Sequence, residues 1–306
     1  MKISVAICTW NRARLLDQTL ESISKLDIPE KLDWELVVVD NNSTERAVPI
    51  ILNAWREQLP MVTTIEKKQG HSAARNCAIE LAKGDYIVWT DNDVNVSKQW
   101  LAAYADAFRK NPEAVYFGGP IEPVFENGKP DWIEKAWDMC APVYATRDLG
   151  KEPFELGHHN LPYGANFAIR TDIQKKFPYD TKWGRNATGM LGEDEVSVLR
   201  AIDESGEKGF WIPDAALEHV IPEDRATEKY VSDYYFGQGF ANALKDNVTD
   251  GRSTIRWKAF QCRFRYRWHK LFSNTRNWVF NMIHASIFKG ELAGLKSLKG
   301  EAKKKE

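Results

Sequence analysis

Two carboxylates one residue apart, Asp91 and Asp93, end the apolar run Tyr86–Thr90. A β-branched and aromatic run of this kind reads as a buried strand, and the residues just past it emerge at a sheet edge. In an open parallel sheet, ligands gather outside the carboxyl ends of the strands, so acids placed there are natural holders of a divalent cation. Asp and Asn are also ordinary turn residues, and an Asp-x-Asp triplet alone fits either role. Further polar residues stand at matching places. Thr9, Asn11 and Arg12 follow one apolar run, and Asp40, Asn41 and Asn42 follow another.

The elements that must carry these groups alternate. Strand-like runs at 3–8, 34–40, 62–66, 86–90 and 115–118 are separated by helical patterns at 12–24, 47–58, 72–83 and 98–110. Leu16, Leu20 and Ile23 share one face of the first helix, Ser72 reads as an N-cap, and Gly84 as the stop before the central strand. Alternation at these lengths implies right-handed crossovers and a mainly parallel sheet flanked by helices. One crevice at the carboxyl edge then gathers Thr9, Asn11, Arg12, Asp40, Asp91 and Asp93. Residues 122–161 are richer in Pro, Gly and aromatics and less periodic, and the adjacent His158 and His159 read as loop residues.

With 306 residues, 43% of them hydrophobic and 12% aromatic, the chain can bury a large core. A net charge of -1 gives no global argument for nucleic acid, which is not expected as a partner. Cys8, Cys77, Cys140 and Cys262 lie far apart, which argues against a zinc site or disulfide framework and suits the cytoplasm. The opening ten residues read as a strand, not a signal peptide. No apolar stretch approaches the roughly 20 residues needed to span a bilayer.

The runs Val5 Ala6 Ile7 Cys8 Thr9 Trp10 Asn11 Arg12, Val37 Val38 Val39 Asp40 Asn41 Asn42 Ser43, Gly70 His71 Ser72 Ala73 Ala74 Arg75 Asn76, Gly84 Asp85 Tyr86 Ile87 and Asp91 Asn92 Asp93 together resemble the family 2 glycosyltransferases. The likeness continues through Tyr163 Gly164 Ala165 Asn166 and Gly192 Glu193 Asp194 Glu195 to about His219. It implies the GT-A fold, an α/β nucleotide-sugar-binding (Rossmann-like) architecture with a mixed, mainly parallel sheet and a helical C-terminal appendage. The expected layout is a catalytic domain at 1–222, with a nucleotide-binding half at 1–120 and an acceptor-binding half at 121–222, then a helical basic-aromatic region at 223–306.

The resemblance further implies an inverting enzyme that moves a sugar from a nucleotide diphosphate donor, a UDP sugar first, to a hydroxyl of a glycan or lipid-linked acceptor. Asp40 matches the position that meets the base, Asp91 the one that meets the ribose, and Thr9, Asn11 and Arg12 the first donor loop. Gly70, Arg75 and Asn166 match further donor-site positions, although an arginine such as Arg75 can equally pair with a strand-end acid. Asp93 matches the ligand of Mn2+ or Mg2+, with His219 as the candidate imidazole or else a satisfied histidine. Asp194 matches the catalytic base and Glu193 its neighbour, where acids in a first helical turn also suit the helix dipole.

In the last quarter Arg252, Arg256, Lys258, Arg263, Arg265, Arg267, Lys270 and Arg276 interleave with Trp257, Phe260, Phe264, Tyr266, Trp268, Phe272 and Trp278, with no acid among them. This pattern suits peripheral contact with a membrane surface, on the cytoplasmic face, or else a helical pair with a solvated basic face. Two other functions share the core pattern. A catalytically silent relative would bind nucleotide sugar or membrane without turnover. A sugar nucleotidyltransferase would need a Gly-rich, Arg-containing triphosphate loop, which the opening residues lack.

Overall fold

The computed structural model describes residues 1–181, 194–245, 248, 250–272 and 274–305, with the backbone alone at 194 and 299–305. The chain forms two compact units. The first comprises Met1–Val124, Ala145–Ala187 and Gly192–Val220, and the second Phe125–Tyr144, Thr188–Leu191 and Ile221–Glu306.

The first unit opens with β1 (Lys2–Thr9), α1 (Ala13–Ser24), β2 (Asp33–Asp40), α2 (Ala47–Trp55), β3 (Met61–Ile65), α3 (His71–Leu81) and β4 (Tyr86–Thr90). There follow β5 (Val94–Val96), α4 (Trp100–Lys110), β6 (Ala114–Gly118) and β7 (Ile121–Phe125). After the short helices α5 (Asp131–Lys135) and α6 (Trp137–Cys140) come β8 (Phe154–Leu156), β9 (Asn166–Arg170), α7 (Thr171–Gln174), α8 (Asp194–Glu204), β10 (Lys208–Trp211) and β11 (Leu217–Ile221).

Eight strands form one sheet in the order β3-β2-β1-β4-β9-β6-β10-β8. β1 pairs in parallel with both β2 and β4, with Thr9 level with Asp40 and Ile7 with Thr90. The carboxyl ends of these strands therefore lie side by side. β9 runs antiparallel between β4 and β6, so the sheet is mixed. A second sheet has the order β5-β11-β7.

Strand alternation splits the core between the two faces. Ile3, Val5, Ile7, Leu36 and Val38 meet Leu16 and Leu20 of α1 and Trp100 and Tyr104 of α4 on one side. Ala6, Val37, Val39, Ile87 and Trp89 meet Ala74 and Ala78 of α3 and Leu199 and Ile202 of α8 on the other. Central strands buried on both faces read as unbroken apolar runs, which is why they were visible in the sequence.

Both expected boundaries of α3 shift. α3 begins at His71 behind Gly70, with no side-chain cap, so Ser72 lies inside the helix. The helix ends at Leu81, before Gly84, whose N–H instead donates to Ser4 Oγ at 2.8 Å.

The second unit adds α9 (Glu228–Leu244), α10 (Arg252–Leu271) and α11 (Thr275–Lys305). Its core gathers Ile133, Cys140 and Tyr144 with Val231 and Tyr235 of α9 and Trp278, Val279 and Met282 of α11. α9 and α11 approach closely. A Cβ at Gly239 would lie 2.1 Å from the Ile287 carbonyl, and one at Gly290 would lie 2.0 Å from that of Phe236.

Candidate active site

The loop after β1 sets the site's base. Asn11 and Arg12 are both left-handed, each with φ 59°. Asn adopts this conformation readily, but a long side chain such as Arg does so at a cost, and here the loop contacts hold it. Asn11 Oδ1 accepts from the N–H of Thr44 at 2.9 Å and of Glu45 at 3.0 Å, while its own N–H donates to Ser43 Oγ at 2.7 Å. In return Glu45 Oε2 accepts from the Ala13 N–H at 3.2 Å, placing a carboxylate at the N-terminus of α1. Asn11 therefore fastens the loops after β1 and β2 to each other.

Asp40 is buried and accepts from the Ser43 N–H at 2.9 Å, which fixes the loop after β2. Asn41 reaches the next loop: its amide donates to the carbonyls of Glu66 at 3.0 Å and Lys68 at 2.8 Å, and its oxygen accepts from the Gly70 N–H at 2.8 Å. Gly70 has φ 134°, and a Cβ there would meet nothing within 4 Å. The backbone angle, rather than crowding, is what asks for glycine.

In the triplet, Asn92 is buried and donates to Thr9 Oγ1 at 2.7 Å. This bond ties the turn to the end of β1, with Asp91 half-buried on one side and Asp93 buried on the other. Asp93 is the centre of charge. Arg12 Nη1 lies 3.1 Å from its Oδ2, and His219 Nε2 lies 3.5 Å from its Oδ1. His219 gets there through the β5–β11 pairing, in which it stands opposite Val94 and the Val220 N–H donates to the Asp93 carbonyl at 2.8 Å.

Among the described residues no group of three or more His, Cys, Asp or Glu side chains makes a metal site by itself. Asp93 and His219 offer one oxygen and one nitrogen. That set fits a cation that takes its remaining ligands from diphosphate oxygens and water.

Arg75 is placed elsewhere. Its buried guanidinium lies 3.3 Å from Glu195 Oε2, donates to the Gly164 carbonyl at 3.4 Å, and sits 5.1, 5.6 and 5.8 Å from the ring centres of Tyr179, Phe167 and Trp89. Among the described residues its acidic partner is thus on α8, one residue past Asp194, rather than at a strand end. Asn166 also departs from expectation. Its oxygen accepts from Trp100 Nε1 and Tyr104 Oη, both at 2.9 Å, and its amide donates to the carbonyls of Pro120 at 2.9 Å and Ala215 at 2.7 Å. A side-chain amide has two donors and two acceptor sites, so none remains for a donor sugar. Asn166 is a buried cross-link between α4 and the ends of β6 and β10.

Of the two expected catalytic acids, Glu193 lies outside the described residues. Asp194 is described by its backbone alone, as the first residue of α8. The pairing roles of Ser43, Asn92 and Glu195 were not read from the sequence, and Asn41 was read only as a polar residue after a strand. The polar doublets after β2 and the middle of the triplet were the available signals for the asparagines.

Strand ends of one parallel half-sheet beside a buried Asp93–His219 pair, with the exposed Arg12 on its outer side, fit an α/β protein of the GT-A type. The same architecture occurs in the structure of Staphylococcus aureus TarS residues 1–349 in complex with UDP-GlcNAc, with a TM-score of 0.58 at 17% identity over 98% of this chain and 92% of that one. It also occurs in the mannosyltransferase PcManGT from Pyrobaculum calidifontis in complex with GDP-Man and Mn2+, with a TM-score of 0.56 at 19% identity over 96% and 75% of the two chains. The longer TarS structure extends well beyond the match, and this chain spans 44% of it. In sequence, the chain is 24% identical over 255 residues to the glucosyl-dolichyl phosphate glucuronosyltransferase of Haloferax volcanii, covering 80% of this chain and 78% of the relative. Residues 4–175 match the model of glycosyl transferase family 2, and the chain belongs to that family.

Proposed function

We propose that this glycosyltransferase moves a sugar from a UDP sugar to a hydroxyl of a glycan or lipid-linked acceptor, with inversion at the anomeric carbon. The observation that carries this reading is the buried Asp93, flanked by His219 and Arg12 where β1, β2 and β4 end together. Asp40, at the end of β2, is suited to accept a hydrogen bond from the imino N–H of uracil. Asp91, half-buried after β4 with β1 between it and Asp40, is suited to the ribose hydroxyls. UDP-GlcNAc in the TarS complex and the glycosyl-lipid acceptor in the name of the Haloferax relative support the donor and acceptor classes.

Asp93 and His219 would hold Mn2+ or Mg2+, as the Mn2+ of the PcManGT complex supports. When bound, such a cation neutralises charge developing on the diphosphate leaving group. Arg12 donates to the second oxygen of Asp93 and so orients the carboxylate. The acceptor oxygen attacks the anomeric carbon as its bond to the diphosphate oxygen breaks, and Asp194 takes the hydroxyl proton. Arg75 acts at a distance from this step, by fixing the first turn of α8 through Glu195.

The test is a panel of nucleotide sugars assayed with and without Mn2+. Asp194→Asn is expected to keep nucleotide binding and lose about 10²- to 10⁴-fold in turnover. Asp93→Ala is expected to lose the metal-dependent part of donor binding. Unimpaired transfer by Asp194→Asn would remove it as the base, and preference for a guanine nucleotide would overturn the role given to Asp40.

A further inference from the structure

Helix α10 carries a face that its own unit leaves uncovered. Its inner side is made by buried Ile255 and Ala259, with half-buried Cys262 and Tyr266 in line. On the opposite side Trp257, Phe260, Phe264, Trp268 and Leu271 are 59%, 61%, 63%, 54% and 79% exposed. Steps of three or four residues put them in a single stripe. Scattered exposed aromatics are unremarkable, but a continuous row marks a surface that meets something. At 100° per residue, Arg256, Arg263 and Arg267 border one flank of the stripe, and Arg265 and Lys258 the other.

The charges on these flanks are largely uncompensated. Lys258 lies 2.5 Å from Asp250 and Lys270 lies 2.7 Å from Glu228, whereas Arg256, Arg263, Arg265 and Arg267 are exposed and enter no ion pair among the described residues. The helix itself contains no acidic residue.

We propose that this face of α10 docks in the plane of an anionic lipid bilayer. A bilayer supplies an apolar layer for the stripe and anionic headgroups for both arginine flanks at one height. A second copy of the chain would cover the stripe but bring arginine against arginine, with no acid on α10 to relieve the repulsion. A nucleic acid would pair the arginines but set five large apolar side chains against phosphates. No helix of the described residues is long and apolar enough to cross a membrane, so the contact is a surface one. The inference stands on α10 alone and does not depend on which sugar is transferred.

The experiment is co-sedimentation of the full chain with vesicles of phosphatidylcholine alone or mixed with phosphatidylglycerol. The wild type is expected to partition onto the mixed vesicles, to leave them as salt rises, and to ignore neutral ones. The triple change Arg256→Glu, Arg263→Glu, Arg267→Glu is expected to lower partitioning by roughly a hundredfold or more. Trp257→Ser with Phe264→Ser and Trp268→Ser is expected to lower it at least about tenfold, and to remove quenching of tryptophan emission by brominated lipid. All six side chains are exposed, so helical circular dichroism and nucleotide binding should be unchanged. The proposal is overturned if the wild type stays in the supernatant with anionic vesicles, or if the serine variant binds them as the wild type does. A dimer dissolved by the serine changes, with no vesicle binding, would assign the face to a second copy instead.

Discussion

Asn92 stands between the two acids of the triplet and is committed to Thr9, so it governs how the turn sits on the sheet edge. Asn92→Ala leaves a buried hydroxyl short of its donor and is expected to destabilise the chain by about 1 to 3 kcal/mol. It should also weaken nucleotide affinity several-fold, measured by titration calorimetry, without touching the ligand. Unchanged affinity would remove the turn from the binding site. At the opposite sheet edge, Glu35 accepts from Ser4 Oγ and the Lys83 N–H, both at 2.7 Å, and faces Lys2 Nζ at 3.4 Å. Burial pushes its carboxyl up, but the Ser4 and Lys83 bonds and the Lys2 charge together outweigh this and hold it below the usual value. A lowered folded pKa means that the stabilisation is present above the unfolded value of about 4.3 and is lost as pH falls through the folded one. Glu35→Gln should therefore be less stable than wild type at neutral pH in urea melts, with the gap closing below about pH 4. Position at the sheet edge was legible where a strand end and a motif coincided, as for Asp93. The contacts of Arg75 and Asn166 were not, because their partners Glu195, Pro120 and Ala215 are distant in the chain and sequence spacing does not reveal which group fills a buried polar side chain.

At the scale of elements, the close approach of the helix pair α9 and α11 depends on glycines. The Ile287 carbonyl that a Cβ at Gly239 would strike is main chain, so the helices must separate to admit it. Gly239→Ala is expected to cost about 1 to 3 kcal/mol despite its better helix propensity, while Gly157→Ala, with open space around it, should change little. A stabilised Gly239→Ala in thermal unfolding would contradict the close contact. Strands buried on both faces, such as β1, β2 and β4, were readable to within a residue or two. β5 spans Val94–Val96 and β8 spans Phe154–Leu156, too short for any period to register. Yet β5 is what brings His219 to Asp93.

At the scale of the whole molecule, the binding reading makes a prediction about stability. A nucleotide that binds only the folded state at a hundred times its dissociation constant adds about 2.7 kcal/mol. UDP with Mn2+ should raise the melting temperature by several degrees, and a chelator should remove most of the rise. A shift indifferent to the chelator would separate donor binding from Asp93 and His219.

The place of β9 has a consequence for how the chain is made. β4 and β6 do not pair with each other: Tyr86–Thr90 matches Asn166–Arg170 on one side, and Tyr116–Gly118 matches the same strand on the other. A nascent chain that has emerged only as far as α4 and β6 holds two open strand edges with nothing to join them. The parallel half-sheet cannot be joined to β6 until residue 170 leaves the ribosome. Synthesis adds about 5 to 20 residues per second, so both edges stay exposed for a few seconds, the interval in which a chaperone or a wrong partner would meet them.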